Sequence, residues 1–414
     1  MVSDGSNKIT ELLGLEEFEK AAAIVRKVTA GTEPVYSDHF SAQSGGHIYL
    51  KPENMQYTGS YKLRGAYYKI STMSEEERKK GLITASAGNH AQGVAYAAKK
   101  YGVHATVVMP TTTPLIKVNR TKFHGAEVVL KGDIYDDACT FAMDMAREEG
   151  LVFIHPFNDL RVAAGQGSVA VEILEDLPDT DIILVPVGGG GLATGTAAFA
   201  KQRKPGIKVI GVEPEGAACL KASLEAGKVV TIPHINTIAD GTAVQTPGDN
   251  LFPYLETFLD DVITVSDEEL IVAYLDMVEN HKMIVENSGL LSVAAIKHLD
   301  VKGKNVVSIL SGGNMDVITM SSVISQGLVL RSRIFTVSVL LPDKPGELVR
   351  VSDIIAKNNG NVIGLEHNQF VSINRNAAVE LQITIEAFGC DHKNSIVKAL
   401  EEGGLSPKIV NVRL

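Results

Sequence analysis

The sequence contains little cysteine: Cys139, Cys219 and Cys390 are the only three among 414 residues. They lie far apart in the chain, and no CxxC pair occurs. A disulfide scaffold needs an even set of cysteines, and a cysteine-rich zinc site needs closely spaced pairs, so both classes are excluded. The scarcity of cysteine is typical of a protein that works in a reducing cytoplasm.

Positive charge is also scarce. The chain has 39 Lys and Arg against 49 Asp and Glu, a net charge of −10, which argues against nucleic acid or an anionic membrane as partner. No uncharged apolar stretch reaches the roughly 18 residues of a spanning helix, and the N-terminal segment lacks the apolar run of a signal peptide. The sequence therefore predicts a cytoplasmic protein with neither nucleic-acid nor membrane partners.

Residues 1–330 alternate apolar β-branched runs with helical patterns, which is typical of a layered α/β domain. Because the runs are continuous, we expect a mostly parallel sheet that is covered on both faces. The predicted strands are Leu82–Ala85, Ala105–Met109, Glu127–Leu130, Ile182–Val187, Lys208–Val212 and Asn305–Leu310. The predicted helices include Ala91–Tyr101, Ile134–Glu149, Ala193–Arg203 and Asp267–His281. A smaller subdomain is expected at about residues 55–155.

Residues 331–414 show a different order of elements. The pattern predicts a strand, a helix, two strands, a helix and a strand, at Ile334–Leu341, Gly346–Asn359, Asn361–His367, Ala378–Glu386, Lys393–Gly403 and Lys408–Val412. This βαββαβ order is that of a ferredoxin-like domain. A helix at Met315–Arg333 is expected to connect it to the rest of the chain.

The densest glycine cluster, Gly188–Gly191, follows a predicted strand and precedes a predicted helix. Backbone N–H groups at a helix N-terminus favour an anion, so the cluster predicts a phosphate site. A flexible turn is the alternative, but four consecutive glycines cost more chain entropy than a turn needs. A dinucleotide site, with Glu213 holding a ribose, is a further alternative. The strict GxGxxG spacing fails, because Gly195 falls one position late.

Lys62 lies in the segment TGSYKLRGA, where Ser60 is expected to cap a helix whose first turn contains the lysine. The partly positive helix N-terminus disfavours an ammonium group, and burial would lower the pKa of Lys62 further. A lysine close to neutrality can form a Schiff base. A solvated lysine is the alternative.

Two further loops follow predicted strands. Ser86, Ala87, Gly88, Asn89 and His90 come after Leu82–Ala85 and open a helix, where N–H groups can bind a carboxylate. Ser311 begins the loop Ser311–Asn314 after the strand Asn305–Leu310. Open α/β sheets bind ligands at the carboxyl ends of their strands, so we expect all four clusters at one site.

Together these segments resemble the fold type II pyridoxal-phosphate enzymes, and most closely the threonine and serine dehydratases. The resemblance covers about residues 15–325: TGSYKLRGA matches the Schiff-base lysine motif, SAGNHAQG the substrate-carboxylate loop, GGGGL the cofactor-phosphate loop and SGGN the ring-nitrogen segment. It implies a two-domain αβα catalytic region at residues 1–330, similar to the tryptophan synthase β subunit, with pyridoxal 5'-phosphate as cofactor.

The resemblance also implies a role for each motif. Lys62 would hold the cofactor as a Schiff base and then remove the α-proton of the substrate. The phosphate would be bound by Gly188, Gly189, Gly190, Gly191 and Leu192. Asn89 would hydrogen-bond the ring hydroxyl and Ser311 would face the ring nitrogen, while the substrate carboxylate would lie against Ser86, Ala87, Gly88, Asn89 and His90. A neutral serine at the ring nitrogen favours β-elimination.

The sequence departs from the family pattern at three places. Relatives that racemise serine carry a second serine as base where this chain has Ala87, so elimination is favoured over racemisation. The same relatives bind a divalent cation with a glutamate and an aspartate, whereas Cys219 stands in place of the aspartate beside Glu213. We therefore assign no metal ligand, and leave a monovalent cation bound by carbonyl oxygens as an alternative. The segment Glu286–Gly289 replaces the commoner Glu-Gly-Ala-Gly.

The C-terminal tail resembles an ACT domain, a regulatory module that binds amino acids. The resemblance implies an effector site at Asp343, Lys344, Pro345, Gly346 and Glu347, with Asn361, on what is expected to be the neighbouring strand, near the amino group. Isoleucine or valine would be the effector. Because a βαββαβ sheet leaves one face free of helices, we expect the tail to pair with another copy, in a homodimer or homotetramer.

The expected function is β-elimination of L-threonine to 2-oxobutanoate and ammonia, with L-serine as a second substrate and a link to isoleucine biosynthesis. Three alternatives stay open: a β-replacement enzyme of the cysteine-synthase type, a dinucleotide-dependent amino-acid dehydrogenase, and a catalytically silent amino-acid sensor.

Overall fold

A computed structural model describes residues 13–369 and 379–412 of the chain. Contacts divide the chain into a first unit that ends at Asp316 and a second unit that begins at Val317. The sequence analysis drew this boundary at residue 330, so the division places the connecting helix in the second unit. Among the described residues, no helix combines the length and the apolar composition needed to cross a bilayer.

The described strands of the first unit form two separate sheets. In chain order they are β1 (Val35–Tyr36), β2 (His47–Lys51), β3 (Leu82–Ala85), β4 (Ala105–Met109), β5 (Glu127–Leu130), β6 (Val152–Phe153), β7 (Ile182–Pro186), β8 (Lys208–Pro214), β9 (Asp261–Val265) and β10 (Asn305–Ile309).

The helices of the first unit connect these strands. In chain order they are α1 (Leu15–Val25), α2 (Asp38–Ser44), α3 (Lys62–Ser71), α4 (Glu75–Lys79), α5 (Asn89–Tyr101), α6 (Leu115–Phe123), α7 (Tyr135–Glu149), α8 (Leu160–Asp176), α9 (Gly191–Arg203), α10 (Cys219–Ala226), α11 (Phe252–Phe258), α12 (Asp267–Asp276) and α13 (Asn287–Ala294). A short π-helix, Met277–His281, follows α12, and 3₁₀-helices lie at Glu53–Met55, Glu215–Ala217, Asp240–Thr242 and Ala295–His298.

The larger sheet has the order β1-β2-β10-β7-β8-β9, and all its neighbours are parallel except β1 and β2. Every residue of β7 is buried, so helices cover both faces of the sheet. Ile183 and Val185 of β7 pack with Val209 of β8 and Ala197 of α9. Each such large apolar side chain contributes roughly 1.5–3 kcal/mol on burial. The prediction of a covered, mostly parallel sheet is confirmed.

The smaller sheet has the order β5-β4-β3-β6 and is parallel throughout. Its strands all lie within the predicted subdomain of residues 55–155. Leu82 of β3 and Val107 of β4 form its core with Ala91 and Val94 of α5. The continuous apolar runs therefore lie, as expected, between layers of helices.

The second unit contains α14 (Val317–Leu330), β11 (Ile334–Leu341), α15 (Glu347–Lys357), β12 (Asn361–Asn368), β13 (Val379–Glu386), α16 (Cys390–Glu402) and β14 (Lys408–Val410). Its sheet is antiparallel in the order β12-β13-β11-β14. Val337 of β11 and Ile383 of β13 pack against Val351 of α15 and Ile396 of α16. The ferredoxin-like βαββαβ arrangement is confirmed.

The strand order corrects the position predicted for Asn361. β12 pairs with β13 and not with β11, because β13 lies between them. Asn361 is in register with Glu386, which pairs with Ile334 at the start of β11. The turn Asp343–Glu347 instead follows the end of β11, about 20–25 Å away along the strand. The two parts of the predicted effector site therefore do not meet within one chain.

Candidate functional site

A cavity of about 640 Å³ lies at the carboxyl ends of strands in both sheets of the first unit. This volume suits a small-molecule site. All four sequence motifs contribute to its lining, with Lys62, Ser86, Ala87, Gly88, Asn89, His90, Gly188, Gly189, Gly190, Gly191, Leu192 and Ser311. The structure thus brings together the residues that the sequence analysis assigned to one site.

Lys62 is the first residue of α3, and its Nζ donates a hydrogen bond to the Pro156 carbonyl oxygen at 2.9 Å. Burial lowers the pKa of Lys62 from 10.5 to about 8, against the opposing effect of the Glu286 carboxylate. The direction agrees with the sequence analysis, which expected burial to lower this pKa. Part of the population therefore has a neutral, nucleophilic amine near pH 8.

Ser60 does not cap α3, contrary to the prediction. Tyr61 occupies the N-cap position, and no side chain caps the helix. Ser60 forms an antiparallel β-bridge with Gly312, and the Tyr61 N–H donates to the Ser311 carbonyl oxygen at 3.1 Å. Extended backbone pairing therefore takes the place of capping, and it joins the lysine loop to the Ser311–Asn314 loop.

Glycines allow two helices to approach α3 closely. A Cβ atom at Gly93 of α5 would lie 3.0 Å from the carbonyl carbon of Lys62. A Cβ atom at Gly65 of α3 would lie 2.8 Å from the Val162 carbonyl oxygen of α8. Such contacts leave no room for a methyl group, so α5 and α8 together fix the backbone that carries Lys62.

The glycine loop connects β7 to α9. Gly190 has a φ of 96°, a conformation that favours glycine. A Cβ atom at Gly189 would lie 2.3 Å from the Phe157 ring. α9 begins at Gly191, so the first amides of the helix lack intrahelical acceptors and carry the positive end of its dipole. The loop has the geometry of a phosphate site.

Buried polar atoms beside this loop support the same assignment. Both amide atoms of Gln166 and the hydroxyl of Thr194 have no hydrogen-bond partner among the residues that the structure describes. A Cβ atom at Gly191 would lie 2.6 Å from Gln166 Oε1, and Thr194 lies in the first turn of α9. Because buried polar groups are normally hydrogen-bonded, the unpaired donors Gln166 Nε2 and Thr194 Oγ1 fit an acceptor-rich group such as the phosphate of pyridoxal phosphate.

The loop after β3 leads directly into α5. The Gly88 N–H donates to Ser86 Oγ at 3.2 Å, and α5 begins at Asn89. His90 is buried, its Nε2 lies 3.0 Å from the Ile154 carbonyl oxygen, and burial lowers its pKa to about 3. His90 is therefore a neutral ring fixed to the backbone. The loop can bind a carboxylate through its amides and the start of α5, without a histidine cation.

Glu286 is a buried carboxyl in this cavity to which the sequence analysis assigned no function. Asn89 Nδ2 donates to Glu286 Oε1 at 2.6 Å. Burial raises the pKa of Glu286 to about 7, and Asp240 acts in the same direction. A carboxyl that holds a proton near neutral pH beside Lys62 is typical of a functional site. The departure of the segment Glu286–Gly289 from the family pattern was the sequence signal that could have identified this residue.

The loop after β10 is packed against the other motifs. Ser311 is buried. A Cβ atom at Gly312 would lie 2.3 Å from Glu286 Oε1, so a side chain at this position would displace the Glu286 carboxyl. Asn314 Nδ2 donates to the Thr58 carbonyl oxygen and to Asn89 Oδ1, both at 2.8 Å. The motif SGGN therefore has a packing role as well as its expected role at a ring nitrogen.

Charged side chains at the rim of the cavity were missed by sequence reasoning. Lys117 Nζ lies 3.5 Å from Asp240 Oδ2, and Arg120 Nη1 donates to Asn314 Oδ1 at 3.2 Å. Both cations belong to α6, which has the sequence of an ordinary amphipathic helix. Its position over the cavity depends on the packing of the smaller subdomain, which no local motif encodes.

Glu213 is not placed to hold a ribose. Its two carboxylate oxygens accept hydrogen bonds from the backbone N–H groups of Leu220 at 2.8 Å and Lys221 at 2.9 Å. Burial raises the pKa of Glu213 to about 7. The residue therefore stabilises the start of α10, and the dinucleotide alternative loses its acidic ligand. Within residues 13–369 and 379–412, no cluster of three His, Cys, Asp or Glu side chains is placed to hold a metal ion.

A buried ion cluster lies next to the lysine motif. Arg64 has no exposed surface, and its guanidinium makes two-pronged hydrogen bonds of 2.6–2.8 Å to Glu53 and to Glu172. Lys51 Nζ also donates to Glu172, at 2.7 Å. Arg64 and Lys51 hold the pKa of Glu172 at about 2 despite its burial. The cluster joins the segment after β2 to α3 and α8.

The predicted effector turn lies at the surface of the second unit. Asp343, Lys344, Pro345 and Gly346 are exposed, and α15 begins at Glu347. Glu347 pairs with Lys344 at 3.3 Å and with Arg350 at 2.8 Å. Because Lys344 and Arg350 neutralise the charge of Glu347, the N-terminus of α15 favours the binding of an anionic group at this turn.

Comparison with known proteins finds a family, relatives and solved structures that match this chain. Residues 25–312 match the family described as pyridoxal-phosphate dependent enzyme. A protein of Thermotoga maritima named L-threonine ammonia-lyase is 41% identical over 400 residues, which are 96% of this chain and 100% of that protein. The processed form of threonine deaminase isoform 2 from Solanum lycopersicum has a TM-score of 0.73 at 38% identity, covering 75% of this chain and 92% of that chain. Maize serine racemase has a TM-score of 0.72 at 34% identity, covering 77% and 98%.

Proposed function

We propose, from the premise that this chain belongs to the pyridoxal-phosphate dependent enzymes, that it converts L-threonine to 2-oxobutanoate and ammonia by β-elimination. L-Serine is the proposed second substrate, with pyruvate as its product. The observation that carries the proposal is the meeting of Lys62, Asn89, the Gly188–Leu192 loop and Ser311 around one cavity. The Thermotoga maritima relative, named L-threonine ammonia-lyase, supports the choice of reaction.

The residues of the cavity fit the cofactor. Lys62 Nζ would hold it, the Gly188–Leu192 loop would bind its phosphate, Asn89 would hydrogen-bond the ring hydroxyl, and Ser311 would face the ring nitrogen. Bound pyridoxal phosphate supplies an electron sink that stabilises the negative charge left when the α-proton departs.

The substrate is held by backbone groups and deprotonated by Lys62. The amides of the loop Ser86–Gly88 and the N-terminus of α5 would bind the α-carboxylate. Lys62 Nζ would take the α-proton, a role that its lowered pKa of about 8 supports. Ser311 offers a neutral hydroxyl rather than a carboxylate, which supports elimination over competing outcomes.

A keto-acid assay tests this proposal. The purified protein, loaded with pyridoxal phosphate, is expected to form 2-oxobutanoate from threonine and pyruvate from serine with no further substrate present. A requirement for sulfide or another nucleophile would point to β-replacement. A turnover that depends on added dinucleotide, or no turnover of either amino acid, would also contradict the proposal.

Ala87→Ser is expected to increase racemisation relative to elimination. Ala87 lines the cavity within the substrate loop, and racemisation needs a base on each face of the substrate. Lys62 would serve one face, and the new hydroxyl would serve the other. Chiral analysis of residual serine measures the effect, with Ala87→Gly as a control that alters the same position without adding a hydroxyl. No gain in D-serine over wild type in Ala87→Ser would contradict the single-base explanation.

The second unit is proposed to regulate the first as an amino-acid sensor of the ACT type. The exposed turn Asp343–Glu347 before α15 presents backbone N–H groups that suit a carboxylate. Isoleucine or valine is the proposed effector. A cytoplasmic homodimer or homotetramer is the proposed assembly, because the ferredoxin-like sheet needs cover for its second face.

Truncation after Arg331 is expected to leave an active enzyme that no longer responds to amino acids. In the full chain, isoleucine or valine should shift the threonine saturation curve by a coupling of about 1–3 kcal/mol, which is roughly 5–150-fold in affinity. Substrate curves with and without each common amino acid measure the effect on both forms. A full-length protein that neither binds an amino acid nor changes its curve would make the tail purely structural.

A further inference from the structure

Four side chains form a continuous line of hydrogen bonds from the rim of the cavity to its interior. Arg120 Nη1 donates to Asn314 Oδ1 at 3.2 Å, and Asn314 Nδ2 donates to Asn89 Oδ1 at 2.8 Å. Asn89 Nδ2 then donates to Glu286 Oε1 at 2.6 Å. The line passes through Asn89, the proposed partner of the ring hydroxyl, so its direction decides what Asn89 offers to a ligand.

The orientation of the Asn314 amide is fixed by neighbours that each have a single hydrogen-bonding role. A guanidinium only donates, so the atom of Asn314 that faces Arg120 is its oxygen. A backbone carbonyl only accepts, so the atom that faces the Thr58 carbonyl oxygen at 2.8 Å is the nitrogen. That nitrogen also faces Asn89, which therefore must turn its own oxygen towards Asn314.

Glu286, the other neighbour of Asn89, cannot fix the orientation of the Asn89 amide. A carboxyl accepts when it is ionised, but it can donate when it is protonated. Burial raises the pKa of Glu286 to about 7, so both forms occur near neutral pH. The amide of Asn89 would then be free to turn over if Glu286 were its sole partner. Asn314 removes that freedom at every pH.

We infer that Asn314 is a positioning residue, which turns the N–H end of the Asn89 amide away from itself and towards the bound ligand and Glu286. One hydrogen of Asn89 Nδ2 serves Glu286, and the second is left for the ligand. An N–H presented in this way stabilises an anionic oxygen, such as an ionised ring hydroxyl, whereas a carbonyl oxygen would repel it. The inference rests on the proposed function, because it concerns pyridoxal phosphate as the ligand.

Asn314→Asp tests the donor function of Asn314 separately from its acceptor function. The variant keeps an acceptor for Arg120 and has nearly the same shape, but it can donate neither to Asn89 nor to Thr58. We expect the pH midpoint of the visible absorbance of the bound cofactor to rise by about one unit, because an anionic ring oxygen loses its N–H donor. The kcat for threonine should fall about tenfold, with a smaller change in KM, because the loss falls on charge that develops during the reaction.

Arg120→Met is the matched control. It removes the hydrogen bond to Asn314 Oδ1 and leaves both acceptors of Asn314 Nδ2 in place. The pH midpoint of the cofactor absorbance is therefore expected to stay at the wild-type value. A shift in Arg120→Met as large as that in Asn314→Asp would assign the effect to the rim and overturn the inference.

Further outcomes separate this inference from the proposed function. A wild-type protein without a visible cofactor band would overturn the proposed function, and the inference with it. A wild-type band together with an unchanged midpoint and kcat in Asn314→Asp would overturn the inference alone. Asn314→Ala is measured in parallel, with melting temperatures for both variants. If neither variant folds and binds cofactor, Asn314 supports the fold in general and the inference is overturned.

Discussion

Lys62→Ala is expected to lower the turnover of threonine by more than about 10⁴-fold. The variant loses both the nucleophile that would hold the cofactor and the base that would take the α-proton. A proton-transfer group alone raises the rate by about 10²–10⁴-fold. Keto-acid formation measures the loss. Borohydride treatment followed by mass measurement should find a covalent cofactor adduct on the wild-type protein and none on the variant.

The Gly188–Leu192 loop is expected to keep its affinity for the phosphate in Lys62→Ala, because a different strand and helix carry it. The variant should therefore bind pyridoxal phosphate reversibly, so that gel filtration removes it. Ordinary turnover, or a cofactor band that borohydride still reduces, would show that another group holds the cofactor and would contradict the assignment of Lys62.

Lys69→Ala is a matched control on the same helix. Lys69 Nζ pairs with Asp159 at 2.7 Å and lies outside the cavity lining. Its loss should leave turnover close to wild type, since a partly exposed ion pair is worth about 0–1 kcal/mol.

The stability of the cofactor-free forms gives a second check on Lys62. The folded-state pKa of about 8 lies below the usual 10.5, so the charged lysine destabilises the fold below pH 8. This penalty disappears as the pH rises towards 10.5. Cofactor-free Lys62→Ala should therefore melt at or above the wild-type temperature at pH 7, and lose that advantage at high pH.

The smaller sheet and the tail were the parts of the fold most open to prediction. β3, β4, β5 and β11 have the bounds expected from the sequence. Each is a run of β-branched or apolar residues, and length and composition separate such runs from helices. Local pattern and observed structure agree there because β3, β4 and β11 are largely buried against helices that the same pattern also predicts.

Strands that depend on tertiary pairing were not predicted. β1 and β6 have two residues each, too few for any periodicity, and β1 exists because Val35 pairs with Leu50 of β2. The error over Asn361 has the same origin, since periodicity indicates that β12 is a strand but not which strand lies beside it. Strand order follows from the packing of the whole sheet.

Motifs located the site, but not the buried charges that surround it. Lys62, Asn89 and Ser311 were found because their loops have unusual composition. Arg64 lies inside the lysine motif and Glu286 begins a segment that departs from the family pattern, but neither signal indicates burial, since charged residues are ordinarily exposed and the sequence does not show which ones the fold buries. Their partners are distant in the chain: Arg64 lies 108 positions from Glu172, and Asn89 lies 197 positions from Glu286.

Arg64→Met is expected to lower the free energy of unfolding by about 3–5 kcal/mol, the usual cost of removing one partner from a buried ion cluster. Glu172 would keep Lys51, at 2.7 Å, whereas Glu53 would remain fully buried with no cation. Chemical denaturation of the cofactor-free protein measures the change. Arg26→Ala, which breaks an exposed pair with Glu175, is the control and should cost no more than about 1 kcal/mol.

The stranded carboxylate, rather than the lost volume, should account for most of this cost. Arg64→Met with Glu53→Gln removes the buried charge and should recover at least about 1 kcal/mol, since an uncharged amide needs no cation. Thr32 and Gln56 already contact Glu53 and can serve the amide. A deficit that is unchanged by Glu53→Gln would place the cost in packing instead. Because Arg64 lies two residues after Lys62, cofactor affinity measured on the folded variant would then show whether the cluster also positions the lysine.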